Sequence, residues 1–185
     1  MLASGVPYSD AKRTVEPLLK DITIRRLTSG DTDGFRSLRL EALKLFPNFY
    51  GTDYAEAVSA TLSSFAQRIS SGLLLGAFDG NLMVGCMAFD HEGGSKIEHR
   101  GWVTSFYVQP AYQKRGIGAR LVEQTIERAY RAKLLQVELY VSQSNVVARR
   151  FYESHGFAVV GRSPRALRVN DTFFDELHMV RYLDA

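Results

Sequence analysis

Only one cysteine, Cys86, occurs in 185 residues. A lone thiol closes no internal disulfide and has no companions at ligand spacing. A disulfide scaffold and a structural zinc site are therefore excluded, and a reducing compartment is expected. His91, His99, His155 and His178 also lack metal spacing, so no metal is expected. No apolar run approaches the roughly 20 residues of a membrane span. The amino terminus carries Lys12, Arg13 and Glu16 but not the roughly seven-residue apolar core of a secretory leader. Net charge is only +3 and is spread along the chain, too little to argue for nucleic acid. Repeats and low-complexity segments are missing as well. These absences leave a soluble cytoplasmic protein, with neither nucleic acid nor a membrane as partner, as the expectation.

What is present is a globular composition, 45% apolar and 23% charged. The length suits one domain able to bury its own core. Residues 1–20 hold Pro7 and Pro17 and show no period, so they read as a loose lead-in to a single domain over residues 21–185.

Ile22-Thr23-Ile24-Arg25 alternates as a strand does, and Ser29 or Asp31 can cap the helix that follows. Phe35, Leu38, Ala42 and Leu45 mark one face of that helix, which Pro47 ends. A shorter helix carries Leu62, Phe65 and Ile69. The apolar runs Leu73 to Phe78 and Leu82 to Phe89 are joined by Asp79-Gly80-Asn81, a hairpin signal because such a turn needs positive φ. A long strand is predicted from Ile97 to Val108, stopped by Pro110. Next comes a helix with Ile117, Leu121, Val122, Ile126 and Ala129 on one side, then alternation over Leu135, Val137, Leu139 and Val141. That order predicts a right-handed crossover between parallel strands. A short helix from Val146 to Ser154 ends at Gly156. Two closing strands, Phe157 to Arg162 and Thr172 to Leu183, pair across an irregular connection holding Pro164 and Asn170-Asp171.

The segment Gln113-Lys114-Arg115-Gly116-Ile117-Gly118-Ala119 sits where a strand turns into a helix. The first amides of a helix have no carbonyl partners, and the macrodipole places about half a positive charge there. Two glycines let a phosphate reach those amides without meeting a Cβ. A Rossmann turn does not fit, because Leu121 stands where its third glycine belongs. A nucleotide P-loop fails too, since no Gly-Lys-Ser/Thr follows.

The stretch from Trp102 to Phe157 resembles the GNAT superfamily of acyl-CoA-dependent N-acetyltransferases. The hallmark Gln/Arg-x-x-Gly-x-Gly/Ala appears as Gln113, Gly116 and Gly118, preceded by Phe106-Tyr107-Val108-Gln109-Pro110. The closing pattern appears as Asn145, Ala148, Tyr152, Gly156 and Phe157. The resemblance covers roughly residues 22 to 183. It implies an α/β (α+β) GNAT acyltransferase fold: a mixed, mostly antiparallel sheet with one splayed parallel strand pair, flanked by helices.

The same resemblance implies acetyl-CoA as donor, no metal, and direct attack of a primary amine of a small molecule or peptide on the thioester. Amides of Arg115, Gly116, Ile117, Gly118 and Ala119 would hold the pyrophosphate, with Gln113 and Lys114 beside them. Backbone groups of Phe106, Tyr107 and Val108 would pair with the pantetheine arm as an added strand would. Asn145 and Ala148 would meet it from the other side, Asn145 also serving as a helix cap. Tyr152 would be the catalytic acid, its phenol protonating the departing thiolate. A lysine-like amine sheds its proton at a cost of about 4–5 kcal/mol at neutral pH, an α-amine at about 1, so the need for a base depends on the acceptor. Trp102 stands where some relatives carry a glutamate, which leaves Glu98 and His99 as the candidate bases. Cys86, lacking basic neighbours, reads as an inert thiol rather than an acyl carrier. Phe46, Phe49 and Tyr50, with Arg162, Arg165 and Arg168, fall where acceptors enter. Protein lysine or N-terminal acetylation and a non-enzymatic acyl-CoA binding module stay open as alternatives, and a homodimer is compatible with the reading.

Overall fold

Alternation along Ile22–Arg26 makes β1, the outer strand of the sheet. The computed structural model describes residues 22–91 and 93–184; the expected lead-in over residues 1–20 lies outside them. After β1 come α1 (Thr32–Leu45), α2 (Tyr54–Ser59) and α3 (Leu62–Ser71), then the hairpin β2 (Leu73–Asp79) and β3 (Leu82–His91). The remainder is β4 (Arg100–Val108), α4 (Ile117–Arg131), β5 (Gln136–Ser142), α5 (Val146–Ser154), β6 (Ala158–Val169) and β7 (Thr172–Tyr182). Among the described residues the seven strands lie in the order β1-β2-β3-β4-β5-β7-β6. Every neighbouring pair is antiparallel except β4 and β5. This is the mixed, mostly antiparallel architecture expected from the sequence.

Side-chain alternation divides the core between the two faces of the sheet. One face sets Val103, Val137, Leu139 and Met179 against Leu121, Val122 and Ile126 of α4. The other sets Leu74, Cys86, Ala88 and Tyr107 against Phe35 and Leu38 of α1 and Phe65 and Ile69 of α3. The site is built where both layers meet β4 and β5.

Local differences from the sequence reading have physical causes. In α1 the buried leucine near the end is Leu43, while Leu45 is half exposed at the last helical position. The helix α2 has no counterpart in the expected elements. Its signal is Asp53, whose carboxylate accepts the Ala55 and Glu56 amides at 2.7 and 3.4 Å, capping a helix of six residues. β4 begins at Arg100 rather than Ile97, because Ile97 and Glu98 both return their amides to the Gly94 carbonyl and close a turn. β6 runs on past Arg162 to Val169 through a register shift between Ser163 and Leu167, where Arg165 takes φ 53°. The β6–β7 connection is the two-residue turn Asn170-Asp171, both at positive φ.

Candidate active site

β4 and β5 pair only from Arg100–Trp102 to Gln136–Glu138. Beyond that they part, and the cause is a bulge in β4. Cys86 faces Tyr107 and Ala88 faces Thr104, so Met87 is opposed by two residues, Ser105 and Phe106, and Ser105 takes φ 50°. A bulge bends the strand that carries it. The opening is a cleft of about 100 Å³ whose walls include Tyr50, Ser105, Phe106, Asn145, Ala148 and Tyr152.

Strand alternation decides which backbone groups face the opening. Gln109 donates its amide back to the Val84 carbonyl at 2.9 Å, within the β3–β4 ladder. The Phe106 and Val108 carbonyls point the other way: Phe106 accepts the Tyr50 hydroxyl and Val108 accepts the Gln113 side-chain amide, each at 2.9 Å. Tyr107 differs from the expectation. Its backbone register places it in the β3 ladder against Cys86, and its buried hydroxyl donates to Glu41 at 2.8 Å on the opposite face.

The turn into α4 opens the helix on a glycine cap. Gly116 occupies the helix cap at φ 75°, a left-handed conformation that glycine adopts without strain, and Lys114 precedes it at φ 59°. Gly116 has no side chain to cap the helix, and the helical ladder starts with the Arg120 amide, bonded to the Gly116 carbonyl. The amides of Ile117, Gly118 and Ala119 precede it and have no intrahelical acceptor. No acidic residue stands in the first turn to offset the dipole. Ile117 is buried and anchors the helix start in the core. A Cβ on Gly118 would lie 3.1 Å from Phe106 and 3.3 Å from Phe151, so this glycine lets the turn sit against two stacked rings. The Arg115 guanidinium lies 4.9 Å from the Tyr112 ring centre, and Tyr112 in turn donates to Asp79 at 2.8 Å.

Tyr152, on α5, is 5% exposed, its ring against Phe106, Phe151 and Phe157. Among the described residues no group bonds its hydroxyl. Burial raises its pKa well above the ordinary phenol value, and the nearby Tyr50 adds to the rise. It therefore holds its proton at neutral pH and can act as a donor. Asn145 caps α5, its Oδ1 accepting the Ala148 amide at 3.0 Å.

Other expected site residues fall elsewhere. Glu98 and His99 lie in the turn before β4, at the strand end where β4 and β5 are still paired, and neither lines the cleft. The Glu98 carbonyl meets the His91 ring, and the His99 carbonyl accepts the Leu135 and Gln136 amides. The three arginines of the β6–β7 hairpin are occupied. Arg162 pairs with Asp175, Arg168 pairs with Asp171, and Arg165 packs over the Phe173 ring. Cys86 is fully buried, its thiol pushed up to about 12 by burial.

Two groups escaped the sequence reading. Glu138 is completely buried, bonded by Arg100, by Gln136 at 2.7 Å and by His178 at 2.7 Å, with Trp102 and Tyr140 stacked alongside the His178 ring. Alternation marked it as an outward strand residue. The signal for Arg39 was present, since at about 100° per residue it lies only about 40° from Phe35, inside the apolar stripe of α1.

The chain belongs to the acetyltransferase (GNAT) family, whose family model matches residues 36–157. An uncharacterized N-acetyltransferase of Methanocaldococcus jannaschii is 32% identical over 152 residues, covering 80% of this chain and 66% of the relative. This chain thus spans about two thirds of that relative's length. An uncharacterized N-acetyltransferase of Archaeoglobus fulgidus is 30% identical over 133 residues, 71% of this chain and 89% of the relative. Among solved structures, yncA from Salmonella typhimurium, determined with its cofactor acetyl-CoA, superposes with a TM-score of 0.76 at 21% identity, covering 90% of this chain and 96% of that one.

Proposed function

We propose that this protein transfers an acetyl group from acetyl-CoA to a primary amine of a small molecule or peptide. The observation that carries the reading is that Phe106, a wall of the cleft, packs against both Gly118 and Tyr152 and so brings three features together. These are the free amides opening α4, the outward edge of β4 at Phe106 and Val108, and the unbonded Tyr152 hydroxyl.

Acetyl-CoA supplies a thioester whose carbonyl carbon takes the amine and whose sulfur departs as thiolate. The residues present fit such a donor. Amides of Ile117, Gly118 and Ala119 suit its pyrophosphate, with Arg115, Gly116 and Lys114 in the turn. The Phe106 and Val108 edge suits its pantetheine arm. The amide nitrogen of Asn145 remains for that arm once Oδ1 is committed to Ala148. Gln113 acts by fastening the turn to Val108. The Val108 amide polarises the carbonyl oxygen, and Tyr152 delivers its phenolic proton to the sulfur. Phe106, Phe151 and Tyr152 exclude water from that proton. The amine arrives from the side of Tyr50. No role as base falls to Glu98 or His99, which are outside the cleft.

A panel of primary amines and short peptides, followed by detection of released thiol, tests the reading. Turnover of at least one class is expected. Tight acetyl-CoA binding without thiol release across the panel would leave only a binding module.

A further inference from the structure

We infer that the acceptor carries a carboxylate as well as its amine, and that Arg39 recognises it. This inference rests on the acetyl-transfer reading for the identity of the ligand as acceptor. A second cavity, of about 250 Å³, lies beneath α1, α2 and α3; its walls include Phe35, Arg39, Thr52, Ser64, Arg68 and Ser105. Ser105 is also a wall of the catalytic cleft, so the two spaces meet at the bulge of β4.

Arg39 has its Nη1 wholly buried and, among the described residues, without a hydrogen-bond partner. Its Nη2 reaches only the Thr52 hydroxyl, at 3.4 Å, and its guanidinium lies 4.6 Å from the Tyr50 ring centre. Carboxylates close in the fold are already engaged. Asp90 is held by both terminal nitrogens of Arg68, at 2.8 and 2.6 Å, and Glu41 takes Tyr107 and Gln109. Burial lowers the Arg39 pKa, and the positive charge of Arg68 pushes the same way. An arginine stays charged even so. A buried cation lacking a partner is costly. A ligand carboxylate would satisfy Nη1 through a charge-assisted bond, with the Thr52 hydroxyl left to donate to the same group, whereas Ser64 already donates to the Thr61 carbonyl at 2.7 Å. The Tyr50 ring links the two spaces, since Arg39 stacks on its face while its hydroxyl holds Phe106. A carboxylate seated at Arg39 therefore leaves the amine of a small molecule to reach past Ser105 towards the cleft.

The test uses matched pairs, free amino acids and the amines left after their decarboxylation, with wild type, Arg39→Gln and Arg39→Lys. Thiol release is read alongside the thermal stabilisation that each compound gives in the presence of coenzyme A. Wild type is expected to favour the carboxylated member of at least one pair by about 30-fold or more in kcat/KM. That ratio collapses in Arg39→Gln and partly returns in Arg39→Lys. A general structural role for Arg39 would lower both members together and leave the ratio standing. Turnover with no carboxylate preference in wild type overturns the inference while acetyl transfer survives. Arg39-dependent stabilisation by amino acids without thiol release supports the anion site while the acetyl-transfer reading fails. Neither turnover nor stabilisation overturns both.

Discussion

The Tyr50 hydroxyl donates to the Phe106 carbonyl at 2.9 Å, joining the segment after α1 to the bulged strand across 56 residues of sequence. Phe106 stacks on Phe151 and packs against both Gly118 and Tyr152. One hydrogen bond thereby couples the segment at Tyr50 to the β4 edge and, through Phe106, to the turn at Gly118.

Removing that donor in Tyr50→Phe keeps the ring under Arg39 but leaves a partly buried carbonyl without its partner. A loss of about 1–2 kcal/mol in stability is expected from urea unfolding. Loosening of the β4 bulge is expected to lower kcat/KM by about 10-fold or more, because small misplacements at a reacting centre are expensive. Wild-type values of both quantities would show that the contact positions nothing.

Tyr152→Phe deletes one oxygen from a packed ring and should leave the fold intact. Loss of a positioned general acid lowers kcat by about 10²-fold or more, with KM for acetyl-CoA little changed. The pH dependence follows from the direction in which the phenol is displaced. Burial raises its pKa, so the protonated, active form persists to higher pH than an ordinary tyrosine with pKa about 10 allows. Wild-type kcat should hold up through about pH 10. An alkaline loss near or below that value, abolished in Tyr152→Phe, would mean that burial does not raise this phenol, and an undiminished kcat in Tyr152→Phe would contradict the assignment as acid.

Gly116→Trp introduces a side chain at φ 75°, where L residues are strained, and covers the amides that open α4. Calorimetry should find acetyl-CoA binding lost while circular dichroism retains the wild-type helix and sheet signal. Unchanged affinity would remove the turn from the binding site.

Glu98→Gln and His99→Ala should each reproduce the wild-type pH–rate profile, because both side chains belong to the turn before β4. Either profile losing its acidic limb would return a base to that turn.

Glu98 and His99 also mark the boundary between what the sequence carries and what it does not. The turn at Gly116, the cap at Asn145 and the hairpin at Gly80 are local chemistry, set by residues within a few positions of one another, and they were legible. The face of a strand residue is not local. Glu138 alternates with leucines and valines as a solvent-facing residue would, yet Arg100 and His178 close over it from two other strands. The start of β4 shifted by three residues because Gly94 draws two amides into a turn, and Glu98 and His99 lie at the end of β4 that is still paired with β5, away from where the strands part. Among the described residues no carboxylate bonds Arg39, which spacing along one chain does not reveal.

The Glu138 cluster gives a stability test separate from catalysis. Burial opposes the charge on Glu138, but hydrogen bonds from Arg100, Gln136 and His178 outweigh it and hold the carboxyl at about 2, down from 4.5. A group whose folded pKa is depressed adds stability above its unfolded pKa and loses it as pH falls through the folded one. The contribution is therefore complete above about pH 5 and fades between about pH 4.5 and 2. Its size is on the order of 3 kcal/mol, since each tenfold change in proton affinity is worth about 1.4 kcal/mol. Glu138→Gln keeps the shape but removes the charge that faces Arg100. Urea unfolding at pH 6 should find the variant weaker by a few kcal/mol, with the gap to wild type narrowing steadily toward pH 3. A gap independent of pH would mean that packing with Trp102 and Tyr140, rather than the ion pair, holds this end of the sheet.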